Sequence, residues 1–152
     1  MTRTHASPTE VFHRLVAGIA AGDWQDLADL YADDAVVEQP MAPGEPGSTR
    51  PVRITGRKAI EEHFARAARM PLLLRAQNVV VHATEDPETI VVEYDYAGQV
   101  AGRKPFTSAN VQVLTVRDGR IVSSRDYHDH SAIAAAVASS TPDTLPGTPR
   151  AD

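Results

Sequence analysis

Three carboxylates on two alternating segments are the side chains of this 152-residue chain best suited to moving protons. Residues 90–100 contain Glu93 and Asp95, and residues 120–128 contain Asp126. Successive side chains of a strand point to opposite faces. Ile90, Val92, Tyr94 and Tyr96 therefore share one face, and Val91, Glu93, Asp95 and Ala97 share the other. In the later segment Ser124, Asp126 and His128 share a face opposite Ser123, Arg125 and Tyr127. If Glu93, Asp95 and Asp126 line an enclosed cavity, loss of water and mutual repulsion raise their pKa values. One can then hold a proton near neutral pH while another accepts one, as general acid–base chemistry requires. The plain alternative is that these faces are wet, since antiparallel sheets are commonly buried on one side only. A cavity of about 300 Å3 or more reaching Asp126 and Asp95 together is what separates the two readings.

Other constellations are weaker. Asp126, His128 and His130 alternate, and oxygen and imidazole are the ligand types of zinc or iron sites. Nothing elsewhere completes a three-ligand pattern, so no metal is expected. Trp24, Phe64 and Phe106 are expected as core or pocket wall, with stacking on a ligand as the other possibility. His63, beside Phe64 on a predicted helix, is expected at the surface. The stretch from Gly44 to Gly47 is too short and proline-rich for a phosphate loop.

These residues need a scaffold, and the chain supplies signals for one. Ser7-Pro8-Thr9-Glu10 has the form of a capping box, and Phe12, Leu15, Val16 and Ile19 follow at helical spacing up to Gly22. A second helix is expected after Asp23, carrying Trp24, Leu27, Leu30 and Tyr31. Residues 35–38 read as a short strand, 40–51 as a proline-rich loop, and 57–69 as a third helix ended by Pro71. Strands are expected over 75–83, 90–100, 104–116 and 120–128, with a hairpin at Asp118-Gly119. A short closing helix over 132–138 precedes a tail, 139–152, rich in Pro, Thr and Asp and expected to be disordered. Helices followed by consecutive antiparallel strands make an α+β domain over residues 1–138. A chain of this length buries enough surface to fold as one domain.

Composition narrows the function. There is no cysteine, which excludes disulfides, thiolate metal sites and thiol nucleophiles. The formal net charge is -5, without a run of Lys or Arg, so nucleic acid is not an expected partner. No apolar stretch approaches the roughly 20 residues that span a bilayer, and residues 1–10 lack the apolar stretch of a secretory signal. The cytoplasm is the expected location.

Tyr31-Ala32-Asp33-Asp34-Ala35-Val36-Val37-Glu38-Gln39-Pro40, Gly56-Arg57-Lys58-Ala59-Ile60, Asp118-Gly119-Arg120-Ile121 and Arg125-Asp126-Tyr127 occur in that order. Together they resemble the SnoaL-like family of the nuclear transport factor two-like superfamily. Polyketide cyclases, limonene epoxide hydrolases and ketosteroid isomerases belong to the same superfamily. The resemblance implies a cone-shaped curved sheet wrapped by three N-terminal helices around an apolar pocket, and commonly a homodimer. The ketosteroid isomerase residues are absent, because their positions fall at Gln39, Leu15 and Gln112. The epoxide hydrolase pattern places its two catalytic aspartates at Asp95 and Asp126. Its bridging arginine falls at Glu93, and its water-positioning residues at Val37 and Gln39. The SnoaL-type cyclases place their acid–base aspartate at Asp126 and a nearby histidine at Gln112.

The resulting expectation is a cofactor-independent enzyme acting on a small apolar or aromatic molecule. Asp126 is the acid–base and Asp95 its partner, sharing a proton. Gln39, Glu93, Gln112, Trp24, Phe64 and His128 are the expected substrate contacts. Epoxide hydrolysis and polyketide-type cyclisation are the reactions implied, and the alternatives are a non-catalytic binding module of the same fold or an isomerase-like relative lacking the ketosteroid isomerase residues. A homodimer is expected through the outer sheet face, from the apolar stripe Val92, Tyr94 and Tyr96.

Overall fold

Helix α1 begins and ends as its capping residues dictate. In the computed structural model, which describes residues 4–44 and 47–138, α1 spans Pro8–Ala21. Ser7 Oγ accepts the Glu10 backbone N–H at 3.2 Å, and Glu10 Oε2 accepts the Ser7 N–H at 2.7 Å. This satisfies two of the donors that a helix start leaves unpaired. Gly22 closes the helix in the left-handed conformation, φ 74°. Val11, Phe12 and Leu15 are buried.

The expected second helix reduces to a single 3-10 turn, Leu27–Leu30. Tyr31 does not belong to it but opens strand β1, Tyr31–Gln39, which is longer than expected. Tyr31, Ala35 and Val37 are all buried, and a register irregularity between Tyr31 and Val36 interrupts the alternation that would have revealed the strand. Strand β2, Val52–Thr55, pairs antiparallel with the end of β1. Helix α2, Arg57–Ala68, buries Ile60 and Phe64. Its first residue ties it to the sheet: the Arg57 guanidinium donates to the Tyr31 carbonyl at 3.1 and 2.8 Å and meets Asp33 at 2.9 Å.

Strands β3 (Leu72–Ala83), β4 (Thr89–Val100), β5 (Phe106–Arg117) and β6 (Arg120–His128) form the expected antiparallel run, and α3, His130–Ala138, closes the described chain. The sheet order is β2-β1-β6-β5-β4-β3, and β1 runs parallel to β6. The architecture is mixed α+β, a curved, unclosed six-stranded sheet with three helices. Gly98, opposite Phe106, is required by close approach, because a Cβ there would lie 2.3 Å from the Phe106 ring.

The helices choose the more apolar side of the sheet. Val92, Tyr94 and Tyr96 point toward them and are at most 6% exposed. The stripe expected to hold a partner subunit is thus part of the core, because leaving it wet would forgo its burial energy. Glu93 and Asp95 point the other way. His82 Nε2 lies 2.6 Å from Oε2 of exposed Glu93, and Asn78 Nδ2 donates to Oδ2 of half-buried Asp95 at 3.0 Å. Asn78 adopts φ 54° at a bulge between Gln77 and Val80, which aims its amide at Asp95. Residues 139–152, expected as a tail, lie outside the described residues. Among the described residues no helix is long and apolar enough to cross a membrane.

Candidate active site

Strand pairing decides which polar groups meet. Gln112 on β5 stands opposite Asp126 on β6 and opposite Val92 on β4, so Asp126 shares the helix-covered face with Tyr94 and Tyr96. A cavity of about 160 Å3 opens between this face, α1, α2 and α3. Leu15, Ile19, Trp24, Val37, Ile54, Ile60, Phe64 and Ile133 supply apolar wall. Tyr31, Tyr94, Tyr96, Gln39, Gln112, His63, His128 and Asp126 supply polar groups. Among the described residues that line it, none is Lys or Arg.

Asp126 is only 9% exposed. One carboxylate oxygen is committed: Gln112 Nε2 donates to Ser124 Oγ at 2.8 Å, and Ser124 Oγ donates to Asp126 Oδ1 at 2.5 Å. Tyr94 extends the line, its hydroxyl donating to Gln112 Oε1 at 3.4 Å. Oδ2 is left toward the cavity and His128, whose Nε2 is 3.9 Å away. Burial pushes the Asp126 carboxyl up to about 6, against the lowering effects of the Ser124 hydrogen bond and the nearby His63. Burial also pushes His128 down to about 4, so the 3.9 Å approach joins a neutral imidazole to a carboxyl and is not an ion pair. Burial lowers His63 and His130 as well. The phenols stay protonated: Tyr96 is pushed up to about 12 by burial, and burial raises Tyr31 and Tyr94 as well. The result is a carboxyl poised near pH 6 among phenols that stay protonated and imidazoles that burial lowers.

The expected substrate contacts Gln39, Gln112, Trp24, Phe64 and His128 line the same cavity as Asp126. Asp95 and Glu93 do not, since both lie on the opposite face of β4. The expected carboxylate pair is therefore not formed. The cavity is also smaller than the expected 300 Å3 or so. Phe106 is not on its wall and packs on Gly98 instead. His63, expected at the surface, is half-buried against Phe64 and lines the cavity. Among the described residues no three His, Cys, Asp or Glu side chains converge to hold an ion. Tyr94 and Tyr96, expected in an outer stripe that holds a partner subunit, instead face the cavity. Their signal was present, because Tyr94 and Tyr96 share the parity of Ile90 and Val92, the more apolar face.

The SnoaL-like domain family matches residues 12–124. The chain belongs to this family. Its relatives place this SnoaL-like domain in a broad neighbourhood. The uncharacterized protein YesE of Bacillus subtilis is 29% identical over 132 residues, covering 86% of this chain and 87% of YesE. A crystal structure of a candidate isomerase from Bacillus subtilis superposes with a TM-score of 0.76 at 27% identity, covering 86% of this chain and 91% of that one. A candidate polyketide cyclase from Pseudomonas putida gives a TM-score of 0.68 at 16% identity, covering 86% and 98%. A Catenulispora acidiphila protein with a ketosteroid isomerase-like fold, crystallised with trimethylamine, gives 0.61 at 24%, covering 86% and 93%. At these lower identities the likeness of the last two is one of fold.

Proposed function

We propose that this SnoaL-like domain is a cofactor-independent acid–base enzyme that moves a proton on a small, uncharged, largely apolar molecule, with Asp126 as the catalytic residue. The observation that carries this reading is the state of Asp126. It has one oxygen held by Ser124 and the other 3.9 Å from His128 on the wall of a largely apolar cavity, and its carboxyl is pushed up to about 6. A carboxyl poised near the working pH is the form that both gives and takes protons efficiently. The absence of Lys and Arg from the described cavity wall disfavours anionic substrates, which would also meet the carboxylate. An isomerase- or cyclase-type proton transfer suits a single carboxyl. Epoxide hydrolysis by an aspartate pair does not, because Asp95 is on the other face.

The test uses Trp24, which lines the cavity, as a reporter of binding. Small cyclic ketones, enones and phenols are screened by Trp fluorescence, then by NMR for hydrogen exchange in deuterium oxide. Asp126→Asn is expected to bind the same compounds and lose exchange by on the order of 10²-fold or more. Binding without exchange in the wild type favours the alternative, a binding module in which the Gln112–Ser124–Asp126 line is structural. We also propose that the protein works as a cytoplasmic homodimer. The outer sheet face still supports an interface, through half-buried Val91, Val111 and Val113 and exposed Tyr127.

A further inference from the structure

His128 has a fixed tautomer. Its Nδ1 lies 2.7 Å from Asn110 Oδ1, while Asn110 Nδ2 donates to the Ser108 carbonyl at 2.9 Å. Asn110 is 4% exposed, so this amide has no water to turn toward. An amide oxygen only accepts, hence Nδ1 carries the hydrogen and Nε2 carries the lone pair. That lone pair stands 3.9 Å from Asp126 Oδ2, on the cavity wall. The gap is too long for a direct hydrogen bond, and both atoms can reach one small group that lies across them.

We propose that His128 Nε2 is a second catalytic group, a base held in register by Asn110, which works with Asp126 Oδ2–H to enolise a small, uncharged carbonyl compound. The proposal rests on the reading of Asp126 given above and adds its counterpart. The step balances without an oxidant or cofactor. Nε2 takes the proton of a C–H bond next to the carbonyl, and that bond's electron pair forms the C=C bond. The carbonyl π pair moves to oxygen, which takes the proton of Asp126. The site passes from carboxyl and imidazole to carboxylate and imidazolium, and the reverse step, at the same or another carbon, restores it. A cavity of about 160 Å3 limits the enclosed part of the substrate to roughly one ring, since a 150 Å3 apolar cavity is known to hold benzene. Besides Asp126, the titratable groups around this imidazole are Tyr96 of β4, whose ring is 6.1 Å away, His130 of α3 at 5.7 Å, and His63 of α2 in the same cavity.

The experiment has a chemical and a spectroscopic arm, both on the full chain. Hydrogen exchange of cyclohexanone in deuterium oxide is followed by NMR for wild type, Asp126→Asn, His128→Gln and Asn110→Leu. Nitrogen NMR of labelled histidine reports the His128 tautomer with no substrate present. The expected result is Nε2 unprotonated in the wild type, a mixed tautomer in Asn110→Leu, and exchange lowered at least tenfold in His128→Gln with binding retained. In Asn110→Leu the pH profile of exchange is expected to shift, which a merely structural role would not produce. A hydrogen on Nε2, or full exchange in His128→Gln, overturns the proposal and leaves Asp126 standing. Loss in His128→Gln with full activity in Asp126→Asn defeats the reading of Asp126 instead. Wild-type protein that binds cyclohexanone without exchanging it overturns both.

Discussion

Replacing Asp126 by Asn is expected to stabilise the protein at alkaline pH while it removes the proposed catalyst. Burial raises this carboxyl from 3.8, its ordinary value, to about 6. A raised carboxyl binds its proton more tightly in the folded chain than in the unfolded one. Its stabilising contribution is full below about 3.8 and is lost as pH climbs through about 6. Roughly two pKa units at about 1.4 kcal/mol each make the ionised side chain cost on the order of 3 kcal/mol at pH 8. The amide keeps the shape and can still accept from Ser124, but it does not ionise. The variant should therefore gain on the wild type steadily between pH 4 and 6.5, then hold a constant advantage. For a chain of this size 3 kcal/mol corresponds to roughly 6 to 12 °C in Tm. Thermal unfolding followed by circular dichroism at half-unit steps from pH 4 to 8 measures it. A difference between the two proteins that does not change with pH refutes the argument, whatever its sign, because it means that Asp126 titrates alike in both states.

Four further outcomes follow from the geometry. Gly98→Val should lower stability by several kcal/mol in urea titration, since the Phe106 ring occupies the space of any added side chain. Ser7→Ala should cost about 1 kcal/mol in the same assay, by removing one half of the capping box on α1. Arg103 Nη1 donates to the Ala136 carbonyl at 3.1 Å and to the Val137 carbonyl, holding α3 beside the cavity. Arg103→Ala should raise amide hydrogen exchange in α3 severalfold and speed ligand release, as seen by stopped-flow Trp24 fluorescence. Val111→Asp, in the middle of the outer sheet face, should convert a dimer to monomer in light scattering, and a dimer that survives it uses another surface.

The elements with strong local signals were readable from the chain. The capping box at Ser7, the Asp118-Gly119 hairpin and the long alternating runs of β3 to β6 each have one favourable local structure. What failed was everything decided at a distance. The second helix gave way to β1 because Tyr31, Ala35 and Val37 gain more by burial in the sheet than a short helix offers. Strand β2 has only four residues, and its partner is needed to define it. For the site, Asp126, Gln39, Gln112, Trp24, Phe64 and His128 were legible as a group, through the resemblance and the parity of β6. The epoxide hydrolase pattern points to Asp95, but Asp95 shares the face of Glu93, away from the tyrosines and Asp126. Alternation states which residues travel together but not which set is buried, and here the tyrosines carried that information.

The parallel pairing of β1 with β6 has a consequence for how the protein is made. Val36 meets Ser123, and Glu38 meets Arg125, so β1 waits for β6 to be synthesised. Until then β3, β4 and β5 can form a meander and β1 can hold β2, but the two pieces have no seam. Closing that seam brings together residues more than half the chain length apart, a slow kind of contact. The same event places Asp126 beside Gln39 and under α2. A nascent or truncated chain that stops before β6 therefore has neither the six-stranded sheet nor Asp126. The fold and the proposed acid–base group arrive in one event.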